Sequence, residues 1–275
     1  MTPHVREPAV AGLFYADRPN ELAREVRHYL DKVPDSPVGG VIRALISPHA
    51  GFMYSGSTAA FGYQKLSGAS YDAVVIIGPS HREFFEGISI HPGTAFATPL
   101  GNVPIHDEVR REIASFHPSI EISTLGHKAE HSVEVQLPFL QQVLGTFSFV
   151  PIVMGEQRRE HCAVLAGALV RAGRRFNLLF VASSDLSHYH PYDDAVSLDG
   201  AVVRDIELYR TDAFMDKLER NQAEACGGGP IVAVMKAAHE LGATSARILH
   251  YCNSGDVSPR RDAVVGYVSA ALVHV

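Results

Sequence analysis

His49 and His81 each close a short apolar run, VIRALISPH and YDAVVIIGPSH, with the composition of a buried parallel strand. Ligands of open α/β sheets gather outside the carboxyl ends of such strands. Two imidazoles delivered to that edge suggest a metal site. Two later runs end in the same way: NLLFVASSDLSH in Asp185 and His188, and ARILHYCNSGD in Asp256. One turn histidine would usually be structural, but polar residues at several strand ends favour a shared site.

Asp185 stands three residues before His188, and a carboxylate beside an imidazole fixes its tautomer and tunes its pKa, as acid/base work requires. The competing reading is a turn or helix cap by Ser183, Ser184 or Asp185. His127 and His131 stand at i, i+4 with Glu130 and Glu134 beside them. His131 or Glu130 would orient a metal-bound imidazole, against a solvated helix start. Asp256 would complete a two-histidine, one-carboxylate set of the kind that holds Fe(II) with open positions. An Asx-turn at Gly255-Asp256 competes with that role. Cys252 is a second candidate ligand, against the plainer role of a small core residue. CGGGP, at 226–230, lacks the Lys-Ser/Thr of a phosphate loop and reads as a flexible turn.

The elements that must position these residues alternate. A helix over NELAREVRHYLDKV, with Asn20 as a candidate N-cap, precedes the Pro/Gly/Ser-rich loop VPDSPVGG. The strand ending in His49 is followed by a helix over STAAFGYQKLSG, with Ser55 or Ser57 as cap and Gly68 at its end. After His81, GISIHPGTAFATPLGNVPI has the turn residues and period-2 pieces of an antiparallel excursion. SVEVQLPFLQQVLG reads as a helix with Pro138 in its first turn. The alternation implies an α/β fold with a mixed, mostly parallel central sheet and helices on both faces.

The chain has 275 residues, 46% hydrophobic and 20% charged, which suits one large α/β domain or two small ones. Its net charge of −6, with no basic stripe, makes nucleic acid an unexpected partner. No apolar stretch approaches the roughly 20 residues that span a bilayer, and the N-terminus lacks a signal-peptide pattern, so no membrane association and a cytoplasmic location are expected. Cys162, Cys226 and Cys252 are odd in number and widely spaced, which argues against a disulfide framework.

PHAGFMYSG, IIGPSHREFFEG, TPLGNVPI, EHSVEVQLPFLQ, SSDLSHY, and NSGD followed by VVGYVSAAL occur in this order over nearly the whole chain. Together they resemble the Memo family, which is similar in fold to the class III extradiol dioxygenases, non-haem iron enzymes that open catechol rings. The resemblance implies a single Memo-like α/β domain over residues 1–275. It matches His49 and His81 to the family's metal-binding histidines, and Asp185 and His188 to further site positions, His188 as acid/base. His131 joins Asp185 and His188 as a candidate catalytic residue.

Animal members carry a site cysteine near the chain end, where this sequence aligns Asp256 and Val257. The third ligand is therefore Asp256, with Cys252 and His188 as alternatives. The implied cofactor is a divalent metal, Fe(II) first and Cu or Zn as alternatives. The implied activity is a dioxygenase-like oxidoreduction of a small aromatic diol. The alternatives are a non-catalytic module for a phosphopeptide or partner protein, and a zinc-dependent hydrolase. AMMECR1-like and radical-SAM proteins, neighbours of bacterial relatives, are the implied protein partners.

Overall fold

Apolar strands without polar alternation need cover on both faces, and that requirement organises the computed structural model, which describes residues 4–275. The chain opens with β1 (Val5–Arg6), α1 (Pro19–Leu30), β2 (Val41–Ser47), α2 (Phe52–Gln64) and β3 (Ala73–Pro79). The excursion follows as β4 (Ile88–Ile90), β5 (Ala95–Thr98), β6 (Gly101–Pro104), α3 (Asp107–Ala114) and β7 (Ile120–Ile122). Next come α4 (Leu137–Leu144), β8 (Phe149–Met154), α5 (Arg159–Gly173), β9 (Leu178–Ser183) and β10 (His188–His190). The chain closes with α6 (Tyr192–Glu207), α7 (Thr211–Glu219), α8 (Gly228–Glu240), β11 (Ser245–Asn253), the short α9 (Ser254–Val257) and β12 (Val264–His274).

The main sheet runs β10-β12-β2-β9-β3-β8-β4-β7, with β11 also paired to β12. Its centre, β2-β9-β3-β8, is parallel. Antiparallel pairs flank it at β12 and between β4 and β8. The fold is thus the expected mixed α/β sheet, with the parallel part concentrated where the two histidine-bearing strands lie. Successive residues of each central strand serve two cores. Ala44, Ile46, Val75 and Ile77 pack with α5, α6 and α8, while Leu45, Val74 and Ile76 pack with α1, α2 and α4. Within the excursion, β5 and β6 join β1 in a separate three-stranded sheet, while β4 and β7 extend the main one.

Two local expectations shift. Pro19, not Asn20, opens α1, because proline's fixed φ suits the first helical turn. Helix α2 starts at Phe52 behind Gly51, so Ser55 lies inside the helix, its hydroxyl returned to the Ala50 carbonyl at 2.8 Å. The helix N-terminus therefore stays within three residues of His49. No helix among the described residues is long and apolar enough to cross a membrane.

Candidate metal centre

Ser47 and Ser183 are register partners at the ends of β2 and β9, and β3 lies on the other side of β9. The turns after these three strands carry His49, Asp185 and His81 to one edge. The rings of His49 and His81 stand 5.0 Å apart between centroids, edge to face. His131 completes the group, 4.7 Å from His81 and 5.4 Å from His49. A cavity of about 590 Å³ opens above them, and Asp185, His188 and Tyr189 also line it.

Hydrogen bonds decide which ring nitrogen of His49 is free. The Ser183 hydroxyl donates its single proton to the Ser132 carbonyl at 2.6 Å. It accepts from Gln136 Nε2 at 2.8 Å. Gln136 is itself oriented, donating to the Pro48 carbonyl at 3.0 Å and accepting from the Tyr63 hydroxyl at 2.6 Å. Ser183 Oγ, 2.8 Å from His49 Nδ1, can therefore only accept there. Nδ1 carries the proton, and Nε2 presents its lone pair to Cys226 Sγ at 3.1 Å. Burial, and then the neighbouring His81, hold the His49 imidazole well below its usual pKa, so it is a neutral donor.

His81 is fixed by a carboxylate. Glu130 accepts from its Nδ1 at 2.9 Å and from its backbone N–H at 2.6 Å, which leaves Nε2 free. Burial pushes the Glu130 carboxyl up. The hydrogen bond and charge of His81, with the backbone N–H groups of His81 and Ser132, outweigh burial and bring it to about 2. Glu130 is therefore ionised, and its negative charge strengthens His81 as a donor. His131, packed on His81, is pushed down to about 4, chiefly by burial.

Cys226 brings a third potential donor atom to the two histidines. Ligand atoms of His49, His81 and Cys226 all lie within 4.8 Å of one another, and those of His81, Glu130 and His131 form a second such group. Cys226 opens a turn clamped against β9. Gln157 donates to its carbonyl at 2.7 Å and accepts from the Gly229 N–H at 2.8 Å, while Ser184 Oγ accepts from the Gly227 N–H at 2.9 Å. The glycines serve close approach. A Cβ on Gly227 would stand 2.3 Å from the Ser183 carbonyl oxygen. The turn at CGGGP, expected to be flexible, is tied by hydrogen bonds to Gln157 and Ser184. The sequence signal was there: a cysteine followed by three glycines permits backbone to press onto a strand.

Asp256 is not brought to the histidines. Its carboxylate belongs to the capping box of α9, accepting from the Asn253 backbone N–H at 2.9 Å and from the Tyr192 hydroxyl at 2.6 Å. The turn role that competes with ligation in sequence is the one it fills. Cys252 lies on β11 instead, 3.0 Å from the Thr58 hydroxyl. Asp185 reaches the site, but its partner is His49 rather than His188. It accepts from the His49 backbone N–H at 2.8 Å, with its other oxygen 4.0 Å from His49 Nε2. Burial raises its carboxyl to about 7, against backbone hydrogen bonds from His49 and Ala50. His188 lines the cavity, kept below the usual histidine range by burial. His127 points away from the site, its Nε2 against the Ser89 carbonyl at 3.2 Å.

Known proteins share this chain throughout. The family model described as Memo-like protein matches residues 6–271. A MEMO1 family protein of Thermoplasma volcanium is 38% identical over 269 residues, covering 96% of this chain and 97% of its own. Another, of Methanocaldococcus jannaschii, is 38% identical over 285 residues, covering 98% and 99%. Among solved structures, an uncharacterized protein of Escherichia coli K12 matches with a TM-score of 0.55 at 14% identity, over 84% of this chain and all of that one, a likeness of fold. With PHAGFMYSG, EHSVEVQLPFLQ and SSDLSHY all supplying residues to one strand-end cavity, the match over nearly the full length means that this chain belongs to the Memo family.

Proposed function

We propose that His49, His81 and Cys226 hold a divalent metal, iron first, and that the cavity above them carries out oxidoreductase chemistry on a small aromatic diol. The observation that carries this reading is the convergence of three donor atoms within 4.8 Å, two of them on imidazoles whose other nitrogen is occupied. Two neutral imidazoles and a thiolate suit the borderline and soft ions iron, copper and zinc better than magnesium or calcium.

Burial, and then the charge of Asp185, push the Cys226 thiol up, so the metal-free protein holds it protonated and ligation releases that proton. The Asp185 N–H, 3.2 Å from Sγ, supports the thiolate that results. Iron, when bound, supplies electron transfer between the diol and O₂ and favours ionisation of the diol's oxygens. His188, neutral and on the cavity wall, takes the proton from a diol hydroxyl as general base. Asp185 holds or releases a proton at the oxygen 4.0 Å from His49 Nε2. Phe14 and Tyr267 in the wall limit water around the reacting group.

The test is metal analysis after anaerobic reconstitution, followed by O₂ uptake with a panel of catechols. Wild type is expected to retain about one iron per chain, and Cys226→Ser and the His49→Ala/His81→Ala pair to lose it. Equal metal content in all three would overturn the site. Retained metal without O₂ uptake on any diol would overturn the activity. Preferential zinc retention would favour hydrolysis from the same donors.

A further inference from the structure

Neighbouring side chains on a regular strand point to opposite faces. His188 and Tyr189 are neighbours in β10, yet both line the cavity above His49 and His81. The backbone explains it. Tyr189 sits at φ 62°, in the left-handed region. Across the pair with β12, His188 stands opposite Val265 and His190 opposite Val264, so Tyr189 is the extra residue of a bulge. His190 turns away to Glu224, at 2.9 Å. Glycine or asparagine would occupy this backbone with less strain than a bulky side chain. A tyrosine there carries backbone strain that glycine would avoid.

The Tyr189 ring lies 5.8 Å from the His188 ring in an edge-to-face arrangement. It is 75% exposed, with little of its face covered by the protein itself. Leu13 and Met53, also strongly exposed, line the same cavity, together with the cationic Arg82 and Arg260.

We propose that Tyr189 is a specificity-determining residue. Its ring is the wall on which a planar aromatic ligand stacks while the ligand's polar end meets the floor formed by His49, His81 and His131. The bulge delivers the ring and the His188 imidazole to the same ligand from adjacent positions. The inference rests on the reading of the cavity as a site for an aromatic diol.

The experiment compares wild type with Tyr189→Gly and Tyr189→Phe, each iron-loaded and metal-free, using 4-nitrocatechol as probe. Binding is followed by absorbance and by ligand-observed NMR, with iron content and Tm measured alongside. Tyr189→Gly suits the left-handed backbone, so its Tm is expected to equal or exceed that of wild type and its iron content to match. Its affinity for nitrocatechol is expected to fall about 3- to 10-fold, the range of one aromatic contact, and Tyr189→Phe to restore it. A merely structural tyrosine would give the opposite pattern, lower Tm and unchanged affinity. Unchanged affinity in Tyr189→Gly overturns the inference, as does absence of probe binding by wild type in both metal states. Failure of the metal reading shows separately, as no iron retained by wild type while the Tyr189 dependence persists in metal-free protein.

Discussion

At the scale of single residues, the site is set by where protons must sit. Ser183 has one proton and gives it to the Ser132 carbonyl, so it fixes the His49 tautomer without titrating. Ser183→Ala removes that acceptor while leaving His49 and Cys226 in place. Metal affinity, measured by competition with a chelator, is expected to fall about 10- to 100-fold, as for other outer-shell partners of ligating imidazoles. Asp256 offers the converse test. Its oxygens are occupied by the Asn253 N–H and the Tyr192 hydroxyl, so Asp256→Ala is expected to loosen α9, lower Tm modestly, and leave metal content at the wild-type level. Loss of metal in Asp256→Ala would restore the carboxylate to the ligand set. The two acids differ in sequence only by context. Both follow a strand, but Asp185 follows a parallel central strand, whereas Asp256 follows β11, which among the described residues pairs only with β12.

At the scale of elements, the turn from Cys226 into α8 is the part least visible in sequence. Its glycines read as flexibility, yet they allow contact close enough for Gln157 and Ser184 to hydrogen-bond the turn. Gly227→Ala would drive a methyl group onto the Ser183 carbonyl and Ser184. The expected outcome is displacement of Cys226, with reduced iron content and increased reactivity of its thiol towards a maleimide probe. Wild-type thiol reactivity in that variant would show that the turn has slack. By contrast, the strands ending in His49 and His81 were legible from composition, because a strand buried on both faces has nowhere to put polar residues except at its end.

At the scale of the whole molecule, buried histidines outside the site add to His49 and His131 in making stability depend on pH. His91 and His127 are buried together, 5.2 Å between ring centroids and edge to face, near the Arg6 guanidinium. Burial first, then neighbouring positive charge, lowers His91 to about 4. Burial first, then His91, lowers His127 to about 3. Both lie below the unfolded value of 6.5, so the unfolded chain takes up protons first as the medium acidifies. Their contribution to stability is full above about pH 6.5 and is lost as the pH falls towards 4. Urea unfolding between pH 7 and pH 4.5 is expected to show stability falling in acid. The His91→Gln/His127→Asn variant, which keeps a hydrogen-bonding side chain at each place, should shed about two protons from that slope at its steepest. An unchanged slope would assign acid sensitivity to other groups.

By itself the sequence determined the mixed α/β class, the family, and the delivery of His49, His81, Asp185 and His188 to one sheet edge, because apolar runs and the residues that end them are local properties of the chain. Only the tertiary structure decided that Cys226 rather than Asp256 lies with His49 and His81, that Asp185 serves His49, and that Tyr189 shares a cavity with His188. Those choices depend on which turns press against which strands and on how a bulge redirects a side chain, and residues 226 and 49 meet only after the sheet has brought distant segments together.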